Sequence, residues 1–198
     1  MKGLLDLPAL RYLWRGRDAF REVRPPAGWA RLEPLGWVVL FLGVHTSLFY
    51  SQLLSIPHFG PAAVGALAVL LLQAGVFWVA LRLAGAKVAL GESLWAAPLT
   101  WLPVVVFFLV AYVPIQLLSP DLFYDYFFDE RVRYLHGVAV IIIVLAMVSH
   151  TSRLIAEEMY RLSPRRSMAV GTAVALLYVF FGLALYAFVT SADLLYII

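Results

Sequence analysis

The sequence predicts an all-α, polytopic membrane protein with five transmembrane helices. Its 198 residues are 63% hydrophobic and only 14% charged, with a mean hydropathy of +0.88. A typical soluble domain is about half apolar and about a quarter charged, so this composition excludes an ordinary soluble domain and a disordered chain. Five stretches are also long and apolar enough to supply the roughly 20 helical residues that cross a bilayer core.

The first predicted domain is a basic cytoplasmic segment, residues 1–34, which precedes the membrane helices. Between Pro8 and Arg24, apolar residues are mixed with arginines, and this pattern predicts amphipathic helices that end before Pro25. The arginines predicted to bind lipid headgroups are Arg11, Arg15, Arg17, Arg21 and Arg24. The segment acts either as a membrane anchor alone or as an arm that binds a protein partner.

The second predicted domain, residues 35–198, contains the spans, expected at about 35–56, 62–83, 94–118, 134–151 and 168–190. A short interfacial helix is expected at about 120–130 on the outer side. Thirteen lysines and arginines lie before the first span or in the connections after the second and fourth spans, against two in the other connections. Because basic residues are enriched on the cytoplasmic side, the N-terminus is predicted inside and the C-terminus outside, in the cytoplasmic (inner) membrane.

Polar side chains inside the predicted spans are candidate functional residues, because polar groups are costly in hydrocarbon. They are His45 and Gln52 on the first span, Gln73 on the second, Gln116 on the third and His150 on the fourth. At a rise of about 1.5 Å per residue, His45 and Gln73 lie at nearly the same depth on adjacent helices. We predict a hydrogen bond between them, which serves either to join the helices or to form part of a ligand site.

No cofactor, metal site or catalytic constellation is predicted. The chain has no cysteine and none of the common hydrolase or nucleotide-binding motifs. A haem shared by His45 and His150 is disfavoured, because their depths differ by roughly 9 Å. Asp121, Asp125 and Asp129 share one face of the predicted outer helix, where a solvated acidic face is favoured over a cation site.

Prolines in the third predicted span and small residues in the fifth predict the local shape and packing of these helices. Prolines in the third span predict helix kinks, since each removes a backbone donor: Pro98, Pro103 and Pro114. Such a helix either lines a substrate path or bends where its neighbours pack. Small residues in the fifth span predict close helix packing, within the chain or to a partner: Ser167, Gly171 and Ala175. After the fourth span, Glu157 and Arg161 are predicted to form an i, i+4 ion pair on a helix.

Short motifs stand next to the predicted spans. They are Phe20-Arg21-Glu22-Val23 before the first span, Leu83-Ala84-Gly85-Ala86-Lys87 and the stretch from Leu90 to Trp95 after the second, and Tyr160-Arg161-Leu162-Ser163 with Arg165-Arg166-Ser167-Met168-Ala169 before the fifth. With these motifs, the chain resembles the Yip1-domain family over roughly residues 18–190. This resemblance implies a cytoplasmic N-terminus, five closely spaced spans and an outward C-terminus. The Asp-Leu-Tyr-Gly-Pro motif of eukaryotic members is missing, so their trafficking role is not implied.

The leading functional hypothesis is a non-enzymatic membrane protein that organises or stabilises a membrane protein assembly as an accessory or scaffold subunit. The small size, the lack of charged residues in the middle of the spans and the basic N-terminal segment favour it. The alternative is a small-solute or lipid transporter that acts as a dimer, with a site near the first to third spans. The expected partners are the lipid bilayer and either another protein or a second copy of the chain, and not nucleic acid.

Overall fold

The computed structural model describes residues 17–21, 25–51, 56–111, 114 and 130–195, and most of these are helical, with no strand among them. The helices are α1 (Asp18–Arg21), a short 3-10 helix (Gly28–Leu32), α2 (Glu33–Ser51), α3 (Ile56–Leu83), α4 (Leu90–Leu99), α5 (Leu102–Ala111), α6 (Glu130–Glu158) and α7 (Pro164–Leu195). The predicted all-α class is therefore confirmed.

Three helical stretches are long and apolar enough to cross a membrane: Phe59–Leu83, Leu90–Ala111 and Val138–Glu158. They correspond to the second, third and fourth predicted spans. The fourth is longer than predicted, because α6 continues past residue 151 to Glu158. Its polar residues are accommodated by the helices: Ser149 Oγ donates to the Gly171 carbonyl oxygen at 3.0 Å, and Thr151 Oγ1 to the Met147 carbonyl oxygen at 2.8 Å.

The third predicted span is interrupted between α4 and α5. At the break, the backbone N–H of Thr100 donates to the Ala97 carbonyl oxygen at 3.1 Å, a bond to residue i−3 that is typical of a 3-10 turn. Pro103 has no N–H to donate to the Leu99 carbonyl, so the α-helical bonding pattern does not run through this turn. The break thus lies between Pro98 and Pro103.

Helix α3 ends in a Schellman motif at Gly85. This residue has a φ of +95°, a left-handed conformation that glycine adopts without steric penalty. Its N–H donates to the Arg82 carbonyl oxygen at 3.0 Å, and the N–H of Ala86 donates to the Leu81 carbonyl oxygen at 2.9 Å. The motif satisfies the last carbonyls of α3 and turns the chain, and α4 then packs against α3.

The core of the described residues lies where α3 meets its neighbours. Helix α3 contacts α2, α4 and α7, and α6 contacts α5 and α7. Each of these packing interfaces contributes fully buried apolar side chains, among them Phe77, Leu99, Val104, Ile155 and Val174. The core therefore positions α3, the α4–α5 turn and α7 side by side.

Helices α6 and α7 approach each other closely at Gly171. A Cβ added there would lie 2.6 Å from the Ser149 carbonyl oxygen and 3.2 Å from Arg153 Cβ. Of the three small residues predicted to allow close packing of the fifth span, Ser167 and Gly171 are buried and Ala175 is half-buried. Glycine is required at position 171 because a side chain would collide with the backbone of α6.

We expect Gly171→Ala to lower the melting temperature of the detergent-solubilised protein. The new methyl group forces α6 and α7 apart, and overpacking of this kind costs about 1–3 kcal/mol. Gly65→Ala on α3 is the matched control, because nothing lies within 4 Å of its Cβ position and alanine favours the helix. Thermal unfolding followed by circular dichroism measures both variants, and equal melting temperatures would contradict the close approach.

Candidate functional site

Gln73 on α3 is the centre of a polar cluster inside the helix bundle, and its side chain is fully buried. Its amide nitrogen donates to Thr100 Oγ1 at 2.8 Å and to the Ala97 carbonyl oxygen at 3.4 Å. Its amide oxygen accepts hydrogen bonds from Trp101 Nε1 at 2.8 Å and from the Tyr178 hydroxyl. The cluster thus joins α3, the α4–α5 turn and α7.

The other members of this cluster also bond to one another. Trp101 Nε1 lies 2.9 Å from Tyr178 Oη, and the two rings meet edge to face with centroids 5.6 Å apart. Thr100 Oγ1 donates to the Ala97 carbonyl oxygen at 2.7 Å. Every polar hydrogen of the four side chains is therefore donated to a protein acceptor. A saturated network of this kind stabilises helix contacts in a membrane.

The sequence predicts His45 as the partner of Gln73, and the side chain of His45 lies outside the described residues. Among the described residues, four groups bond to the amide of Gln73, and the bond to His45 stays a prediction. The predicted depth in the membrane could have indicated Tyr178 as one of the partners of Gln73. Tyr178 is ten residues beyond the predicted start of the fifth span, or about 15 Å deep, the same depth as His45 and Gln73.

The remaining candidate residues do not join this cluster in the part of the chain that the structure describes. His150 lies on α6 with an exposed side chain, Pro98 and Pro103 are buried beside the break, and Pro114 is exposed. The candidates outside the described residues are Gln52, Gln116, Asp121, Asp125 and Asp129. Within the described ranges, no group of three His, Cys, Asp or Glu residues is arranged to hold a metal ion.

A second polar site holds α1 on the C-terminal end of α6. Arg17 Nε lies 3.0 Å from Glu158 Oε1, and Arg21 Nε lies 2.6 Å from Glu158 Oε2. Arg17 also pairs with Glu157, whose other oxygen lies 3.6 Å from Arg153 Nε on the same helix. The hydrogen bond to Glu158 raises the pKa of the Arg21 guanidinium. Two glutamates therefore neutralise part of the basic N-terminal segment.

These ion pairs differ from the contacts that the sequence predicts for the charged residues. Arg17 and Arg21, both predicted to bind lipid headgroups, contact carboxylates, while Arg11, Arg15 and Arg24 lie outside the described residues. The predicted i, i+4 pair between Glu157 and Arg161 is wrong. Helix α6 ends at Glu158, and Arg161 has a left-handed φ of 54°, so the helical spacing that would bring the two together does not extend to Arg161.

No protein-family model matches the chain, and no curated protein or solved structure matches it. The resemblance to the Yip1-domain family therefore stays a prediction. The proposed function therefore rests on the geometry of the structure.

We expect Gln73 and Tyr178 to be energetically coupled. Gln73→Leu removes the acceptor of the Tyr178 hydroxyl, and Tyr178→Phe removes that hydroxyl alone. Tyr178→Phe should lower the free energy of unfolding by about 1 kcal/mol, the size of a hydrogen bond between membrane helices. Gln73→Leu should lower it by more, because it also removes the bonds to Ala97, Thr100 and Trp101. The double variant should lower it by less than the sum of the two, as measured by unfolding in mixed detergent micelles.

Tyr160→Phe is the control for this double-mutant cycle. The Tyr160 hydroxyl is buried without a hydrogen-bond partner among the described residues, and burial raises its pKa, so it stays protonated. Its removal should not destabilise the protein and should add independently to Gln73→Leu. Strict additivity of Gln73→Leu and Tyr178→Phe would show that the cluster is not a cooperative unit.

Proposed function

We propose that this protein is a non-enzymatic, multi-pass membrane protein that organises or stabilises a membrane protein assembly as an accessory or scaffold subunit. The observation that carries the proposal is the saturation of the polar cluster around Gln73. A solute site needs polar groups that can exchange a protein partner for the solute. In this cluster each donor already has a protein acceptor, and an exchange would leave buried groups unpaired at a cost of about 1–3 kcal/mol each.

The space beside the cluster supports the same proposal. A cavity of about 310 Å³ lies against Trp101 and Tyr178, and its other walls are aliphatic or aromatic, among them Phe108, Val144 and Val148. Apolar walls offer water few hydrogen-bond partners. The cavity is therefore poorly suited to an aqueous path, which weighs against a small-solute transporter with a site near the first to third spans.

The helices also leave broad apolar faces uncovered by the rest of the chain. In the apolar stretch of Phe59–Leu83, only 28% is buried within the chain. The corresponding stretch of Val138–Glu158 is also 28% buried. On α6 this exposed surface includes Leu135, Val138, Ile141 and Ile142. In a membrane, such faces contact lipid or the helices of another subunit, which is the surface that an accessory subunit requires.

The proposal includes five spans, with the N-terminus in the cytoplasm and the C-terminus outside the inner membrane. Helices α2 and α7 cover the described parts of the first and fifth predicted spans. The distribution of basic residues, thirteen on one side against two on the other, supports this orientation. So does the resemblance to the Yip1-domain family.

We expect single cysteines to report this topology, because the chain contains none of its own. In spheroplasts, a membrane-impermeant maleimide should label Gly60→Cys and should not label Lys87→Cys or Arg165→Cys. All three positions are exposed, so labelling of all of them after permeabilisation is the control. Labelling of Lys87→Cys or Arg165→Cys in sealed spheroplasts would contradict the orientation.

We expect the tagged protein, extracted with its surrounding lipid in a native polymer disc, to carry another membrane subunit in a fixed ratio. Mass spectrometry of the intact particles gives the stoichiometry, and an untagged strain treated identically is the control. Recovery of the chain alone, or only with a second copy of itself, would contradict the accessory role. Transport assays in proteoliposomes would then test the alternative.

A further inference from the structure

A groove lies between the end of α3 and the start of α7. It has a volume of about 420 Å³, and its walls include Ala80 of α3, Ala84 just beyond the end of α3, and Ala169 and Ala173 of α7, with Arg166 as the charged residue among the described lining residues. The small side chains leave an apolar channel between the two helices. Both helices belong to predicted spans, and the groove lies at the end of α3 and the start of α7, which the distribution of basic residues predicts to be near the cytoplasmic membrane surface.

Arg166 is held at the surface end of this groove. Its Nη1 donates to the Ala84 carbonyl oxygen at 3.3 Å, a bond that uses one of the five N–H donors of a guanidinium. The side chain is exposed and lies in the first turn of α7, where the helix dipole favours an anion. The remaining donors are available to an acceptor at the membrane surface.

The charge around the groove is uncompensated. Arg82, Lys87 and Arg165 are close neighbours in sequence of its lining residues, and all three are exposed. Among the described residues, neither these three nor Arg166 forms an ion pair with a carboxylate, whereas the glutamates at the end of α6 pair with basic residues of α1 and of α6 itself. The groove is therefore next to a surface that attracts anions.

We propose that this groove binds an anionic phospholipid, with the phosphate on Arg166 and part of an acyl chain between α3 and α7. Charge complementarity selects the anionic headgroup, because Arg166 is the basic residue among those that line the groove and can contact the phosphate directly. The apolar walls select a lipid over a soluble phosphate, because a soluble anion leaves them without a partner. No residue of α1 lines the groove, and the site is independent of whether the chain belongs to a larger assembly.

The test is a lipid titration of the purified protein in a neutral detergent, followed by native mass spectrometry. Phosphatidylglycerol should bind at one saturable site more tightly than phosphatidylcholine with the same acyl chains. Arg166→Gln should weaken phosphatidylglycerol binding about fivefold and remove most of the preference. Arg161→Gln is the matched control, since it removes the same charge from an exposed residue that does not line the groove, and it should bind as the unaltered protein does.

Ala169→Leu tests the acyl chain separately from the charge. Position 169 is exposed in the groove, so leucine can occupy the channel without disturbing the core, and an unchanged melting temperature in the absence of lipid checks the fold. Binding of both lipids at this site should weaken. Equal losses in Arg166→Gln and Arg161→Gln would overturn the proposal in favour of nonspecific attraction. So would full binding by Ala169→Leu, or competition by soluble glycerol phosphate at the concentration at which phosphatidylglycerol itself binds.

Discussion

A primary amide placed in the middle of a membrane must satisfy its two N–H groups and its oxygen with protein partners, because hydrocarbon offers none. Gln73 meets this requirement with groups from three elements, and their relative positions depend on it. Thr100 and Trp101 are consecutive residues of the 3-10 turn between α4 and α5, and both bond to the same amide. Pro103 has no N–H, so the α-helical bonding pattern does not run through this turn. The interruption of the third span and the satisfaction of Gln73 therefore involve the same short segment.

The basic residues near the membrane surface fall into two groups with different chemistry. Arg17 and Arg21 form ion pairs with Glu157 and Glu158, and these pairs hold α1 on the end of α6. Because their charge is partly neutralised, these two arginines attract an anionic membrane less strongly. Among the described residues, Arg166 bonds to a backbone carbonyl and pairs with no carboxylate. A count of lysines and arginines gives topology, but it does not separate cations that hold the protein together from cations that can bind a ligand.

The sequence was sufficient for the class of the fold and the approximate positions of its helices, because span length and apolar composition are local properties. It also identified Gln73 as a candidate and located the break of the third span near its prolines. It could not identify Thr100, Trp101 and Tyr178 as partners, because depth along a helix does not say which face a residue occupies. The ion pairs of α1 were equally inaccessible, since they join residues 137 to 141 positions apart in the chain.

The hydrogen bonds between helices also limit how the molecule can move. Separation of α7 from α3 would break the bonds of Tyr178 to Gln73 and Trp101 with no water to replace them, and it would cost several kcal/mol. Gly171 and Ser149 hold α6 against α7 in the same way, by close contact and a hydrogen bond. A unit tied at these points resists the rocking that alternating access requires. The same ties keep α3 and α7 at a fixed separation, so the groove between them exists before any lipid enters it, and binding there need not be coupled to a change of shape.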